Sequence, residues 1–375
     1  MNNRLHIISW DIPYPADYGG VIDVYHTLRH LHAAGIQIVL HVFSYGGRSV
    51  QAPLENLCAE VHTYPRKTGL SGLHTSLPYI VSSRHHKDLL KNLKKDEAPI
   101  LFEGIHTTLL LDHPDLKDRH KVIRIQNIEQ DYYRQLATHT KSFFKQLYYH
   151  WESARLYRYE RNLRAAQAFV TVAMQDHDFF KALYPKAEHT CIPSFQPYDT
   201  VASQIGKGEY VLYHGNLSVA ENIRAALFLA REVFQHLHVP LRIAGKNPPP
   251  ELLVCKNEYI QIIANPDDET LHQLISNAQI NILPGFQNTG LKLKLLHALF
   301  AGRHCLCNEI MLTGTGLNAT VQTAETAEDF RQKIKTFMDI PFDQALLDLR
   351  KESLVNYNNS LNAERLINTL HLHYP

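Results

Sequence analysis

The chain has 375 residues, more than one ordinary domain needs, so two domains are the starting expectation. Hydrophobic residues are 45% and charged residues 20%, the balance of a soluble globular protein rather than a disordered one. Lys plus Arg less Asp plus Glu is 38 − 37 = +1, which argues against a nucleic-acid binder relying on bulk charge and leaves a local basic cleft as the alternative.

The amino terminus, Met-Asn-Asn-Arg-Leu-His-Ile-Ile-Ser-Trp, has no apolar core long enough for a signal peptide. No run approaches the roughly 18 apolar residues of a spanning helix. A cytoplasmic protein is expected, touching the inner face of a membrane at most. Short apolar runs alternating with longer amphipathic stretches predict βαβ units and parallel sheets. Leu5–Trp10 reads as the first strand, followed by a loop ending in Gly19-Gly20. A helix follows with Val21, Val24, Leu28 and Leu31 on one face, closed by Gly35. Ile36–Phe43 reads as the second strand, and Ile100–Phe102, Val122–Ile125 and Phe169–Ala173 as further strands, with one long helix between the last two.

The stretch Thr190–Gly208 lacks periodicity, carries Pro193, Pro197, Gly206 and Gly208, and reads as the hinge. The alternation then restarts, with strands at Val211–Tyr213, Leu241–Ala244, Tyr259–Ile263, Ile280–Leu283 and His304–Cys307. Helices are expected near Glu221–Leu237, Asp267–Ala278 and Lys292–Ala301, and Phe342–Leu372 reads as helical throughout. The expected fold is α/β: two Rossmann-like, doubly wound domains facing a central cleft, where open α/β sheets bind ligands. The domains run over 1–192 and 209–352, and 353–375 forms a terminal helix packing back on the first domain.

Five cysteines (58, 191, 255, 305 and 307) make neither an even disulfide framework nor a Cys-x-x-Cys zinc spacing. A redox or metal role for Cys305 and Cys307 is the alternative to two same-face residues of a buried strand, the preferred reading. Gly19-Gly20 lies between a strand and a helix amino terminus. There glycine lets backbone N–H groups approach a phosphate, although an ordinary tight turn would look the same. The pair is not Gly-x-Gly-x-x-Gly, which argues against a dinucleotide-binding dehydrogenase. Pro284-Gly285-Phe286-Gln287-Asn288-Thr289-Gly290 leads into a helix bearing Lys292 and Lys294 in its first turn. Lysine opposes the helix dipole there unless an anion is bound; two solvated surface lysines are the alternative.

These segments resemble, in order over nearly the whole chain, group 1 (family-4-type) glycosyltransferases of GT-B fold. The resemblance is carried by Asp11-Ile12-Pro13-Tyr14-Pro15 through Gly19-Gly20, Gly215-Asn216-Leu217 with Glu221-Asn222, and Leu241–Gly245. Asn265-Pro266-Asp267-Asp268 with Leu271 continues it, as does Thr289–Lys294 with Ala298 and Gly302. It implies a retaining hexosyltransferase moving a sugar from a nucleotide-sugar donor to a glycan or lipid-linked acceptor, in cell-surface polysaccharide or lipopolysaccharide assembly. No cofactor and no metal are implied. Gly19 and Gly20 would face the donor diphosphate, and Lys294, with Lys292, would neutralise the leaving group. His106 matches a histidine near the transferred sugar. Glu129 would orient hydroxyls, unless it is simply a carboxylate at a helix start.

Gly215, Asn216, Thr289, Gly290 and His297 complete the donor side. Here the chain departs from the pattern: Thr289 and His297 stand where the resemblance leads one to expect a Glu-x7-Glu pair, and Gln126 replaces a histidine. Asn216 and Glu221 stand where many members carry a basic pair. A non-catalytic GT-B protein binding a nucleotide sugar or glycan is therefore the alternative, and a nucleotide-sugar epimerase a more distant one. Two further segments have double readings. Asp176-His177-Asp178 fits a metal–diphosphate pattern, but helix-capping carboxylates are preferred. Lys141–Arg164, rich in aromatic and basic residues, could lie on an anionic membrane surface or be a core helix with a solvated face.

Overall fold

The computed structural model describes residues 3–140, 142–286 and 293–373. These divide into two units, one holding residues 3–197 and 359–373, the other 198–286 and 293–358.

In the first unit the strands are β1 (Arg4–Ser9), β2 (Gln37–Ser44), β3 (Glu60–Pro65), β4 (Ile100–Glu103), β5 (Lys121–Ile125), β6 (Ala168–Thr171) and β7 (Glu188–Cys191). They pair in parallel in the order β3-β2-β1-β4-β5-β6-β7. In the second unit β8 (Val211–His214), β9 (Leu241–Gly245), β10 (Ile260–Ala264), β11 (Ile280–Leu283), β12 (His304–Cys307) and β13 (Gln322–Thr323) pair in parallel as β10-β9-β8-β11-β12-β13. Both sheets are thus doubly wound, and each has one place where the strand order reverses: between β1 and β4, and between β8 and β11. Successive side chains of a strand point to opposite faces, so Leu5 and Ile7 join one apolar core while Ile8 joins the other. The Cys305/Cys307 pair is buried in β12, as the same-face strand reading requires.

The Asn359–Thr369 helix packs in the first unit, where Leu366, Ile367 and Leu370 share a core with Val24, Leu28 and Leu31 of the Gly19–Ala33 helix. Asn359 Nδ2 donates to the Gln196 carbonyl (2.7 Å) and Arg365 Nη2 to the Cys191 carbonyl (2.9 Å).

Several helices differ from expectation. The 342–372 segment is not one helix: Gln344–Ser353 ends, a 3-10 turn spans Val355–Tyr357, and Asn359–Thr369 begins afresh. Asn356, Asn358 and Asn359 fall at the break, where short amide side chains compete with helical hydrogen bonding. The long helix between β5 and β6 is two, Glu129–His139 and Phe143–Tyr159, with Thr140 extended between them. After Phe228 the expected 221–237 helix loosens into a π turn and then a 3-10 turn. β7 occupies the start of the expected hinge.

Some of the histidines are structural. His6 Nε2 faces Asp96 (2.9 Å), which can only accept while ionised. A neutral His6 therefore accepts at Nδ1 from His41 Nε2 (2.8 Å), and His41 Nδ1 accepts from the Tyr64 hydroxyl (2.9 Å). Asn92 Nδ2 closes the run by donating to Tyr64 (2.9 Å). Burial lowers the pKa of both rings, His41 far more, which keeps this one-directional chain uncharged.

Candidate functional site

At the β1/β4 reversal of the first unit, loops from three strands bring candidate residues together. Gly19 and Gly20 open the Gly19–Ala33 helix, whose first-turn N–H groups have no intrahelical acceptor. A Cβ at Gly20 would lie 2.6 Å from the Trp10 ring and 3.4 Å from Gln126 Oε1, so glycine lets these groups close in. Trp10 also meets His106, with ring centroids 5.7 Å apart. Gly104 precedes His106 at φ 67°, where a Cβ would come 2.9 Å from His106 Nδ1. That nitrogen is buried without a partner, and burial, aided by Arg84 and Arg66, holds the ring well below the usual histidine range. His106 is therefore neutral and offers hydrogen bonds rather than charge.

Beneath these residues lies a fully buried ion pair that sequence reading missed. Asp23 Oδ1 accepts from Arg124 Nη2 (3.0 Å) and the Phe195 N–H (2.6 Å); Oδ2 accepts from Arg124 Nε (3.2 Å) and Gln126 Nε2 (3.1 Å). Gln126 takes part in this anchoring and also approaches Gly20. Glu103 is buried beside the pair with neither oxygen hydrogen-bonded, and burial raises its pKa against the pull of Arg124. Arg84, also missed, is buried and donates to the Trp10 carbonyl (2.9 Å) and the Ile80 carbonyl (2.6 Å). Its position before a short helix carried no motif that could have marked it.

Glu129 does start a helix, and its carboxyl is buried rather than solvated. Burial pushes its pKa up to about 7, with Asp176 adding to the rise and Asn127 and Arg84 opposing it. The cap of this helix comes from elsewhere: Glu160 Oε1 accepts the Glu129 N–H (2.7 Å) and the Gln130 N–H (3.4 Å). Asp176 is not the capping carboxylate expected either. Ala173 is the N-cap of the Met174–Leu183 helix, no side chain caps it, and burial pushes Asp176 up to about 7.

The folded chain therefore holds the Glu129 proton to higher pH than the unfolded chain, whose value is near 4.5. Its stabilising contribution is full below that value and is lost as pH rises through about 7. Glu129→Gln, which cannot ionise, is expected to gain stability relative to the parent by roughly 1–3 kcal/mol between about pH 5 and about pH 8. Urea unfolding across that range checks it; a pH-independent difference would mean that Glu129 is ionised throughout.

At the β8/β11 reversal the second unit assembles Gly215, Asn216, Lys294 and His297. The Asn216 carbonyl accepts from Asn222 Nδ2 (2.8 Å), and Asn222 Oδ1 accepts from Lys294 Nζ (2.7 Å). A side chain at Gly245, the end of β9, would collide with the Gly215 carbonyl, so this loop depends on that glycine. Lys294 lies in the first turn of the Leu293–Ala301 helix, with Nζ 5.5 Å from the Tyr213 ring centroid.

One turn on, the His297 ring lies nearly parallel to that of His214 (6.2 Å between centroids, 6°) and edge-on to Tyr198 (5.4 Å). Nε2 of both histidines is buried without a partner. Burial lowers His297 to about 4 and His214 well below its ordinary value, so this pair is neutral where the resemblance led to the expectation of a carboxylate. Glu221 accepts from the Phe286 N–H (3.3 Å) at the end of the β11 loop. Thr289, Gly290 and Lys292 lie outside the described residues.

Two sheets of this topology in one chain are the GT-B glycosyltransferase fold. Solved structures agree over nearly full length. Sucrose-phosphate synthase from Thermosynechococcus elongatus superposes with a TM-score of 0.64 at 14% identity, covering 98% of this chain and 96% of that one. The α,α-trehalose-phosphate synthase (UDP-forming) from Burkholderia xenovorans gives 0.64 at 10% identity, covering 98% and 100%. The family model described as "Glycosyl transferases group 1" matches residues 208–339, the segment that contains Gly215, Lys294 and His297. Over 336 residues the chain is 26% identical to an "Uncharacterized 44.6 kDa protein in cps region" of Klebsiella pneumoniae, covering 84% of this chain and 85% of that one.

Proposed function

We propose that the protein is a retaining glycosyltransferase that moves a sugar from a nucleotide-sugar donor to a glycan or lipid-linked acceptor in cell-surface polysaccharide assembly. The observation that carries this is Lys294. Its ammonium is fixed by Asn222 at the strand reversal of the unit that the group 1 glycosyl transferase model matches. A cation held there neutralises charge growing on a departing diphosphate and needs no rearrangement during the reaction. His214 and His297 supply neutral ring nitrogens for donor hydroxyls. In the first unit, neutral His106 and the buried Glu129 carboxyl, its pKa raised by burial, are suited to hold sugar or acceptor hydroxyls, and Gly19 and Gly20 present N–H groups to an anion. Retention rests on the family resemblance, and the polysaccharide setting on the relative named for a cps region.

A panel of UDP-, GDP-, dTDP- and ADP-sugars, scored for thermal stabilisation and slow donor hydrolysis, tests the reading. The right donor at a hundredfold excess over its dissociation constant adds about 2.7 kcal/mol. One donor that both stabilises and is hydrolysed is the expected result, and silence across the panel would refute the reading. The uncharged histidine pair favours a second reading, a binder that holds its nucleotide sugar without turnover. Stabilisation with neither hydrolysis nor transfer to any acceptor would select it.

A further inference from the structure

The Phe143–Tyr159 helix puts Leu156 and Tyr159 into the core, yet it also turns large apolar side chains to solvent. Its buried side carries Glu152, Ser153, Arg155 and Leu156. Its solvent side carries Phe143 (71% exposed), Phe144 (82%), Leu147 (60%) and Trp151 (46%). Phe143, Leu147 and Trp151 recur every four residues and form one stripe that runs toward exposed Arg158. The stripe is extended by a second segment of the same unit. The Arg155 guanidinium covers the Trp151 ring (4.2 Å) and donates to the His74 carbonyl, which fixes the loop after the Gly69–Gly72 turn beside the helix. The turn exposes Leu70 (85%), and the loop after it exposes Leu73 (47%).

Charge on the two segments has one sign. Residues 66–76 and 143–159 expose Lys67, Lys145 and Arg158, with Arg66 half-buried; their single acid, Glu152, is fully buried and paired with buried Arg155 (3.7 Å). Large exposed apolar groups clustered with cations on a soluble chain mark a binding surface. A second copy of this chain would oppose the exposed cations Lys67, Lys145 and Arg158 with the same three cations. A bilayer carrying anionic headgroups instead accepts the phenyl and indole rings at its interface and the cations at its phosphates. Among the described residues no helix is long and apolar enough to cross a membrane, so the contact would lie on the surface.

We propose that this face seats the first unit on an anionic phospholipid bilayer. The inference is independent of the donor chemistry, so its test is read without any sugar. The whole protein is sedimented with phosphatidylcholine vesicles containing about one-third phosphatidylglycerol, and with vesicles of phosphatidylcholine alone. Binding is expected for the anionic vesicles and is expected to weaken as salt rises from about 0.05 to about 0.5 M.

Phe143→Ser/Phe144→Ser and, separately, Lys145→Glu/Arg158→Glu should each reduce binding at least about tenfold. All four side chains are exposed, so the melting temperature should be unchanged, which separates lost docking from lost folding. No binding, equal binding to both vesicle types, or binding unaffected by either double substitution would overturn the proposal. A concentration-dependent dimer dissolved by Phe143→Ser/Phe144→Ser, with no vesicle binding, would assign the face to a second copy instead.

Discussion

Arg124→Ala is expected to destabilise the first unit by about 3–5 kcal/mol, the cost of leaving a buried charge without its partner. Arg124 and Asp23 are both fully buried, so water cannot replace the lost bonds. Asp23 would keep the Gln126 and Phe195 donors but lose Arg124, the one cation among its hydrogen-bond donors. Asp23→Asn is expected to cost less. Glu103 sits unpaired beside the guanidinium, and with Asp23 neutral it can ionise and take over as counter-ion. Urea unfolding of both variants decides this; an Asp23→Asn loss as large as that of Arg124→Ala would show that Glu103 cannot substitute. Because Gln126 and Gly20 share this anchoring, Arg124→Ala should also loosen the Trp10–His106 contact.

The second large effect is on chemistry. With the proposed donor, Lys294→Ala is expected to lower kcat about 10²–10³-fold while the donor dissociation constant changes less than about tenfold. The asymmetry follows from where the charge develops: the ammonium matters most when the diphosphate is leaving. Lys294→Arg should recover part of the rate, limited by a planar fork meeting the single Asn222 oxygen. A Lys294→Ala variant that loses affinity and kcat equally would make Lys294 a ground-state contact and remove the main support for the proposed role.

The central strands were legible because they are buried on both faces and read as continuous apolar runs. β1, β4, β8, β11 and β12 fall within a residue or so of their expected bounds. Of the four edge strands only β10 was expected, at 259–263 against Ile260–Ala264. β3, β7 and β13 (Glu60–Pro65, Glu188–Cys191 and Gln322–Thr323) are polar and partly exposed, as strands with one open side tend to be. Motif residues that open helices, Gly19, Gly20 and Lys294, could be read from their loops. The groups beneath them could not: Asp23 looks like an ordinary helix residue, Arg84 has no pattern, and Glu103 ends a strand. Their significance comes from contacts between residues far apart in sequence, such as the 101 positions separating Asp23 from Arg124. The helix at 143–159 was visible, but which side faced water was not, because aromatic and basic residues occur all around it.

The first unit is finished by the Asn359–Thr369 helix, made only after every residue of the second unit. A chain emerging from the ribosome can therefore pair the strands of the first sheet early, yet Leu28 and Leu31 must wait for Leu366 and Ile367. Until then the place in that core filled by Leu366, Ile367 and Leu370 stays open to water. The first helix of the chain is thus completed by the last, and the nascent protein carries an apolar flank on the Gly19–Ala33 helix until the second unit has been made.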